Sequence, residues 1–255
     1  MSSYNDLRYQ RGDQQRRKVE GPRHGKKGGR NFDLKPDSPA VVENRTQYPH
    51  MLGEHSYPPL KSGFNNSKIG KTITKGRWKG MPIYTLTLEE RATCGPCNHK
   101  LDCYGNKMVY AARQPQGDDT IAYLQLNLWE LQQKHAGGFV VRLHVLGDFY
   151  SVEYVRHWLA WLEKFPALRI YGYTARDPML SIGVEIMKLQ NGFEDRFRMR
   201  WSDYPTDHDA TRSIKDEASA GDDVIVCPAQ VSKTACCATC ALCWETRKNI
   251  AFISH

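Results

Sequence analysis

The sequence lacks the features that would place the protein in a membrane or outside the cell. None of its 255 residues belongs to an apolar run of 18 or more, so we expect no membrane-spanning helix. The Arg-rich beginning has no apolar stretch of the kind a secretory signal needs, so we expect a cytoplasmic protein. Hydrophobic residues make up 40% of the chain and charged residues 25%, which is typical of a globular protein with a buried core.

Acidic and basic residues nearly balance over most of the chain, because the excess positive charge lies at its beginning. Residues 1–31 contain nine Lys or Arg and three acidic residues, which accounts for most of the formal net charge of +8. Few apolar residues occur there, so we predict a disordered basic tail over residues 1–45 and one domain over residues 46–255. Either a phosphate-seeking arm for nucleic acid or a solubilising leader explains such a tail.

Strand-like and helix-like segments alternate in the predicted domain. Predicted strands cover residues 81–88, 139–146, 168–174, 196–201 and 223–226. Predicted helices cover residues 106–113, a segment with Asp118 or Asp119 as its N-cap, a segment capped by Ser151 and stopped by Pro166, and residues 179–189. The last four strands start about 28 residues apart, which predicts βα units, a parallel sheet and a partial (β/α) barrel; a doubly wound sheet is the alternative.

Two of the predicted strands have one polar face each. Apolar residues that fit packing against helices are Val141, Leu143, Val145, Phe197, Met199 and Trp201. The opposite faces carry Arg142, His144, Asp148, Arg196, Arg198 and Arg200. A polar face repeated on parallel strands predicts a polar barrel lumen that binds a ligand, although an edge strand would explain the last three arginines equally well.

All eight cysteines fall in two short stretches, and no export signal accompanies them. The first set, Cys94, Cys97 and Cys103, has the spacing C-x2-C-x5-C, with His99 as a candidate fourth ligand. The second set combines Cys227 with the C-x2-C-x2-C run Cys237, Cys240 and Cys243, and Cys236 is an additional thiol of unassigned role. Crowded thiolates need a cation, so the spacing predicts metal. The remote fourth cysteine favours iron–sulfur ligation over zinc.

Both cysteine sets and Gly147-Asp148 follow predicted strands at their carboxyl ends. Active sites of parallel α/β folds are built at that edge, so the placement predicts a catalytic site with a cofactor. Asp148 is the strongest candidate for a catalytic residue because its position and its acidity agree. His144 is a candidate general base, with a structural role as the alternative.

This layout resembles that of the radical S-adenosylmethionine enzymes, which carry a three-cysteine loop after the first strand of a partial barrel. The resemblance implies a 4Fe–4S cluster on Cys94, Cys97 and Cys103, with one iron open to S-adenosylmethionine. It also implies that Gly147 and Asp148 form the turn that contacts this cofactor and that Tyr104 is the aromatic neighbour of the last ligand.

The chain is similar, more closely, to the Gene product 88 family of phage and plasmid proteins. The stretches that carry this similarity are residues 69–71, 93–105, 142–149, 171–174 and 227–244. It implies a phage-type protein that acts in the cytoplasm of a host cell, with a cysteine-liganded site, and it implies no particular reaction.

The leading hypothesis is an iron–sulfur enzyme with one or two 4Fe–4S clusters, possible binding of S-adenosylmethionine, and no membrane partner. Arg142, Arg198 and Arg200 then favour a small anionic substrate or a nucleic acid. A second hypothesis is a nucleic-acid-binding protein with structural zinc and no catalysis. A third is a thiol redox protein that uses Cys94 and Cys97.

Overall fold

The computed structural model describes residues 33–53, 58–95, 97 and 100–254. Most of the predicted basic tail, residues 1–32, lies outside the described residues, and the boundary at residue 45 stays a prediction. Within residues 33–45, the Leu34 amide donates to the Leu101 carbonyl at 2.9 Å, so this segment runs beside the first cysteine loop.

Eight strands form one sheet. They are β1 (Lys61–Ser62), β2 (Ile83–Thr85), β3 (Phe139–Leu143), β4 (Leu168–Thr174), β5 (Phe197–Ser202), β6 (Ala210–Ile214), β7 (Val224–Val226) and β8 (Asn249–Ile253). Among the described residues, the α-helices are α1 (Pro39–Val42), α2 (Glu90–Thr93), α3 (Asp118–Lys134), α4 (Val152–Lys164), α5 (Ser181–Gly192), α6 (Cys237–Cys240) and α7 (Leu242–Glu245). None of the described helices is both long enough and apolar enough to cross a membrane.

The strand order is β1-β2-β3-β4-β5-β6-β8-β7. Only β1 runs antiparallel to its neighbour, and all other pairs are parallel. From β2 to β6 each strand lies beside its predecessor in sequence, and α3, α4 and α5 form the first three crossovers. The predicted parallel α/β sheet is confirmed. The order has two edge strands, β1 and β7, and does not establish closure into a barrel.

The two faces of the sheet are covered by different parts of the chain. Helices α3, α4 and α5 bury their apolar residues against Val141, Ile170 and Met199, which share one face of the sheet. On the other face, Val140 and Tyr171 pack against the segment that carries the second cysteine set. The sheet therefore separates a conventional apolar core from a layer that is rich in cysteine.

The ends of the three long helices agree only in part with the local sequence signals. The Ser151 hydroxyl accepts a hydrogen bond from the Tyr154 amide at 3.1 Å, which confirms the predicted cap of α4. The predicted N-cap of α3, Asp118 or Asp119, is wrong: Gly117 is the N-cap, without a side-chain hydrogen bond, and both acidic residues lie in the first turn, where their charge interacts favourably with the helix dipole. Helix α5 runs to Gly192, three residues past the predicted end.

Three expectations about the elements are wrong. The predicted helix over residues 106–113 is a short 3-10 turn, Tyr104–Lys107, followed by irregular chain. Strands β6 and β8 are absent from the predicted set, and no helix separates β5 from β6. As a result, the strand predicted over residues 223–226 is the sheet edge β7 and pairs only with β8, not with β5.

Candidate metal-binding site

The first cysteine set lies where β2, β3 and β4 end. Helix α2 stops at Thr93, and Cys94 follows with its amide bonded to the Glu90 carbonyl at 3.0 Å. The sulfurs of Cys94, Cys97 and Cys103 and the Asp148 carboxylate lie close enough for their charges to interact. The three predicted ligands therefore lie in one neighbourhood with Asp148, at the same edge of the sheet.

Buried guanidinium groups fix the loop that carries these cysteines. Arg91 donates from Nη1 to the Lys100 carbonyl at 2.7 Å and from Nη2 to Asn106 Oδ1 at 2.6 Å. Arg113 is fully buried, and its Nε donates to Glu90 Oε2 at 2.7 Å. The loop conformation thus depends on two arginines that the sequence did not identify, because single arginines form no recognisable pattern.

Asp148 ties the ends of neighbouring strands together. Its Oδ1 accepts from the Phe149 amide at 2.7 Å and from Thr174 Oγ1 at 2.8 Å, and its Oδ2 accepts from the Ala175 amide at 2.8 Å. Burial raises the pKa of this carboxyl group, and the same hydrogen bonds oppose the rise. The carboxylate is engaged with the protein, so the geometry gives Asp148 a positioning role.

Gly147 allows the turn after β3 to lie against the first cysteine segment. Its φ is +83°, in the region that favours glycine. A Cβ at this position would lie 2.5 Å from Thr93 Oγ1 and 2.6 Å from Leu88 Cβ. The contact of this glycine is therefore with the chain that precedes Cys94.

Arg176 is a residue of the site that the sequence analysis missed. It follows β4, and its Nη2 donates to the Thr93 carbonyl at 2.6 Å. Its Nη1 lies 2.1 Å from where a Cβ would stand at Gly95, so the guanidinium covers the backbone next to Cys94. The Arg176 charge acts on both Cys94 and Asp148, and the Arg91 charge acts on Cys103, so two arginines place positive charge beside the first set.

His144 does not face the predicted lumen, and that expectation is wrong. Its Nε2 lies 3.0 Å from the Tyr154 hydroxyl of α4, on the helical side of the sheet. Strand β3 ends at Leu143, so the alternation of faces stops before His144, and Val145 instead joins the cysteine side. Burial lowers the pKa of His144 to about 3, followed in size by repulsion from Arg142 and Arg176.

Tyr104, which directly follows Cys103 in the chain, contacts the chain beyond β3. Its side chain is about half exposed, and its hydroxyl donates to the Val145 carbonyl beyond β3. The sulfur of Cys103 accepts from the Gly105 amide at 3.4 Å. These contacts attach the cysteine loop to the chain that leaves β3.

The second cysteine set surrounds one small cavity. Its walls are Cys227, Pro228, Ala229, Cys237, Cys240, Leu242, Cys243, Trp244 and Ile250. All four predicted ligands are in this wall, and Cys236 is not. Cys236 is buried next to Gly70, and its amide donates to Thr239 Oγ1 at 3.1 Å at the start of α6.

Arg200 of β5 anchors the segment that carries the second set, whereas Arg198 binds the chain between β5 and β6. Arg200 is fully buried and donates from Nε to the Cys243 carbonyl and from Nη1 to the Lys248 carbonyl, both at 2.9 Å. Arg198 pairs with the buried carboxylate of Asp209 at 3.1 Å. Both side chains lie on the predicted face, and both have partners within the protein.

Arg142 lies next to both cysteine sets. Its guanidinium carbon is 4.4 Å from the ring centre of Tyr173 and 5.6 Å from that of Tyr171. Its charge acts on Tyr104 of the first loop and on Cys237 of the second set.

Burial favours the neutral form of several of these thiols. Burial, followed by nearby acidic groups, raises the pKa of Cys94, and burial also raises the pKa of Cys237 and Cys240. The pKa of Cys227 is raised to about 11, mainly by burial and then by Cys243. A bound metal reverses this balance because it stabilises thiolates directly.

Taken as they stand, the described side chains contain no group of three or more His, Cys, Asp or Glu residues arranged around a single metal ion. His99, the candidate fourth ligand of the first set, lies outside the described residues.

Comparison with known proteins gives one match. The model of the family described as Gene product 88 matches residues 64–246, a range that includes both cysteine sets. No curated protein and no solved structure matches the chain, so the resemblance to radical S-adenosylmethionine enzymes gains no support from these comparisons.

Proposed function

The chain belongs to the Gene product 88 family, and from that premise we propose that it is an iron–sulfur enzyme with one 4Fe–4S cluster on each cysteine set. In this proposal the second set supplies four thiolates and the first set supplies three. The family is phage-type, and its description names no reaction, so the chemistry is argued from the cysteines themselves.

The observation that carries the proposal is that all four thiols of the second set line one small cavity. Cys227 reaches this cavity from the end of β7, whereas the other three thiols come from the α6–α7 segment. A remote cysteine that completes a C-x2-C-x2-C run is a pattern of iron–sulfur ligation. A cluster also occupies space between its ligands, whereas a zinc ion holds every sulfur about 2.3 Å from one point.

The donor count of the first set supports a cluster with one iron that no cysteine binds. Such a cluster supplies an electron and an open coordination position for a ligand. Arg176 beside Cys94 and Arg142 beside Tyr104 favour an anionic ligand, of which the carboxylate of S-adenosylmethionine is one example. Asp148 positions the loop ends around this ligand, and His144, on the far side of the sheet, takes no part.

The strand order supports a partial barrel as the frame of this enzyme. Consecutive parallel strands from β2 to β6, with α3 to α5 on one face, are shared with (β/α) barrels. In our proposal the opposite face is the inside of the partial barrel, and the second cysteine segment fills it.

Metal and sulfide analysis of anaerobically reconstituted full-length protein tests the proposal. We expect about eight iron and eight sulfide per chain for two 4Fe–4S clusters, with broad visible absorption. Cys97→Ser and Cys240→Ser should each remove about half of the iron. Cys236→Ser, the matched control, should keep it all because Cys236 is not in the cavity wall.

Adding S-adenosylmethionine to the reduced protein tests the open iron. We expect the electron paramagnetic resonance spectrum of the first cluster to change, and the change to be absent in Cys97→Ser. Protein that contains zinc and no sulfide would overturn the proposal and favour structural zinc.

A further inference from the structure

The Tyr173 hydroxyl makes a hydrogen bond to a sulfur of the second set. The distance from this oxygen to Cys243 Sγ is 2.9 Å. A thiolate bound to iron has no proton to give, so in the cluster-bound protein the phenol must be the donor. Hydrogen bonds to the sulfurs are among the features that set the reduction potential of an iron–sulfur cluster.

A fixed positive charge lies against the same tyrosine. Arg142 of β3 stands opposite Tyr171 of β4 in the sheet register, and its guanidinium carbon is 4.4 Å from the Tyr173 ring centre. The carbonyl groups of Leu143 and His144 hold this guanidinium in place. Its charge also acts on the Cys237 sulfur. The same cation therefore lies near one ligand directly and near Cys243 through Tyr173.

Tyr171 provides a comparison within the same strand. It shares the face of Tyr173 and contacts the same guanidinium, at 5.6 Å. Its side chain is 1% exposed, and its hydroxyl has no hydrogen-bond partner among the described residues, although it lies in the neighbourhood of Cys237. The two tyrosines therefore differ in geometry: the Tyr173 hydroxyl lies 2.9 Å from Cys243 Sγ, whereas the Tyr171 hydroxyl interacts with Cys237 without a well-formed hydrogen bond.

We propose that Tyr173, through its hydrogen bond to Cys243, and Arg142, through its charge, raise the reduction potential of the cluster in the second set. This inference rests on the proposed function. On reduction the cluster takes up one electron, no bond breaks, and the phenol keeps its proton. The added negative charge strengthens the hydrogen bond and the attraction to the guanidinium, so both stabilise the reduced cluster more than the oxidised one.

The test is a redox titration of full-length protein with dithionite and mediators, followed by electron paramagnetic resonance. A Cys94→Ser/Cys97→Ser background silences the first set, so that only the second cluster is observed. In this background Tyr173→Phe should lower the equilibrium constant for reduction roughly tenfold, which is about 59 mV for a one-electron couple. Tyr171→Phe is the matched control and should cause a clearly smaller shift.

Arg142→Gln should also lower the potential, because it removes the charge and keeps a polar side chain of similar size. Iron and sulfide content must equal that of the background protein in every variant, which separates tuning from loss of the cluster. Equal potentials for Tyr173→Phe and its background would overturn the inference and leave the proposed function standing. A second set that takes up no iron and sulfide at all would overturn both.

Discussion

At the scale of single residues, Gly147 connects the turn after β3 to the first cysteine segment. Its positive φ alone would make a side chain costly, and the short approach to Leu88 and Thr93 adds a steric cost. Gly80 has a similar φ of +89°, but a Cβ there would meet nothing within 4 Å. Comparing the two glycines therefore separates the cost of a side chain at positive φ from the cost of its contacts with neighbouring atoms.

We expect Gly80→Ala to lower the free energy of unfolding by about 1–2 kcal/mol, because alanine is strained at positive φ. Gly147→Ala should lower it by roughly 1–3 kcal/mol more, because the added methyl overpacks the contact with Thr93. Urea unfolding of the two variants measures the difference. Equal losses would show that the turn can move away from the cysteine segment at no cost.

His144 gives the protein a specific dependence on acid. Its pKa is lowered to about 3 in the folded protein, whereas an unfolded histidine titrates near 6.5. The unfolded state therefore binds the proton first as pH falls. The stability associated with neutral His144 is present above pH 6.5 and is lost progressively between pH 6.5 and 3.

His144→Gln should remove this loss while the side chain can still bond to the Tyr154 hydroxyl. Relative to pH 7, the original protein should lose about 2–3 kcal/mol more than the variant at pH 4.5, since one pH unit corresponds to about 1.4 kcal/mol. Chemical unfolding at a series of pH values measures both. Parallel stability curves would mean that water or another partner reaches the imidazole.

The sequence identifies some residues of the candidate site and not others, for physical reasons. Clustering singled out the cysteines, because thiols used only for packing are scattered along a chain; their binding of a metal stays a prediction. The position of Asp148 after a strand correctly placed it near the first set. His144 was assigned to the wrong face because strict alternation ends with the hydrogen-bonded strand at Leu143. Arg176 and Arg91 act through backbone carbonyls, which no spacing rule reveals.

At the scale of elements, Arg200 attaches the chain from α7 to β8 onto β5. Its guanidinium donates to the carbonyls of Cys243, Thr246 and Lys248. This explains a fully buried arginine on the polar face of a strand: the charge is solvated by backbone groups of a segment that contains little regular structure of its own.

Arg200→Met should leave three carbonyls without donors and lower the free energy of unfolding by about 3 kcal/mol. In the variant, the amides of residues 243–248 should exchange hydrogen faster than in the original protein, whereas those of β3 and β4 should change little. Arg196→Met is the control, since the contacts of Arg196 with Phe165 and Pro166 carbonyls are long, at 3.4 and 3.5 Å. Uniformly faster exchange across the sheet would contradict a local anchoring role.

Long periodic elements were predictable, whereas short ones decided by tertiary contacts were not. The starts of β3, β4, β5 and β7 lie within one residue of prediction. Strand β6 was missed because its middle residues Arg212 and Ser213 are exposed, which hides any apolar pattern. The predicted helix over residues 106–113 is overridden by side-chain bonds to the backbone. Asn106 bonds to the Leu101 carbonyl of the cysteine loop, and Arg113 bonds to the Gly105, Met108 and Ala111 carbonyls.

At the scale of the whole molecule, the charge distribution bears on the alternative function of nucleic-acid binding. Residues 1–31 contain nine Lys or Arg residues, and the whole chain has a formal net charge of +8. Replacing all nine with Gln therefore gives a net charge of −1 at unchanged length. Leu34, which follows this basic segment in the chain, donates a hydrogen bond to Leu101 of the first cysteine loop.

We expect the Gln-substituted protein to bind a single-stranded oligonucleotide more weakly at low salt than the original protein. The slope of log affinity against log salt should also become shallower, by about 0.7 for each phosphate contact that is lost. Fluorescence anisotropy at several salt concentrations measures both quantities, and iron content of the two proteins should be the same. Unchanged affinity and slope would place nucleic-acid binding on the sheet domain. A loss of iron would show that the basic segment supports metal binding by the first cysteine loop.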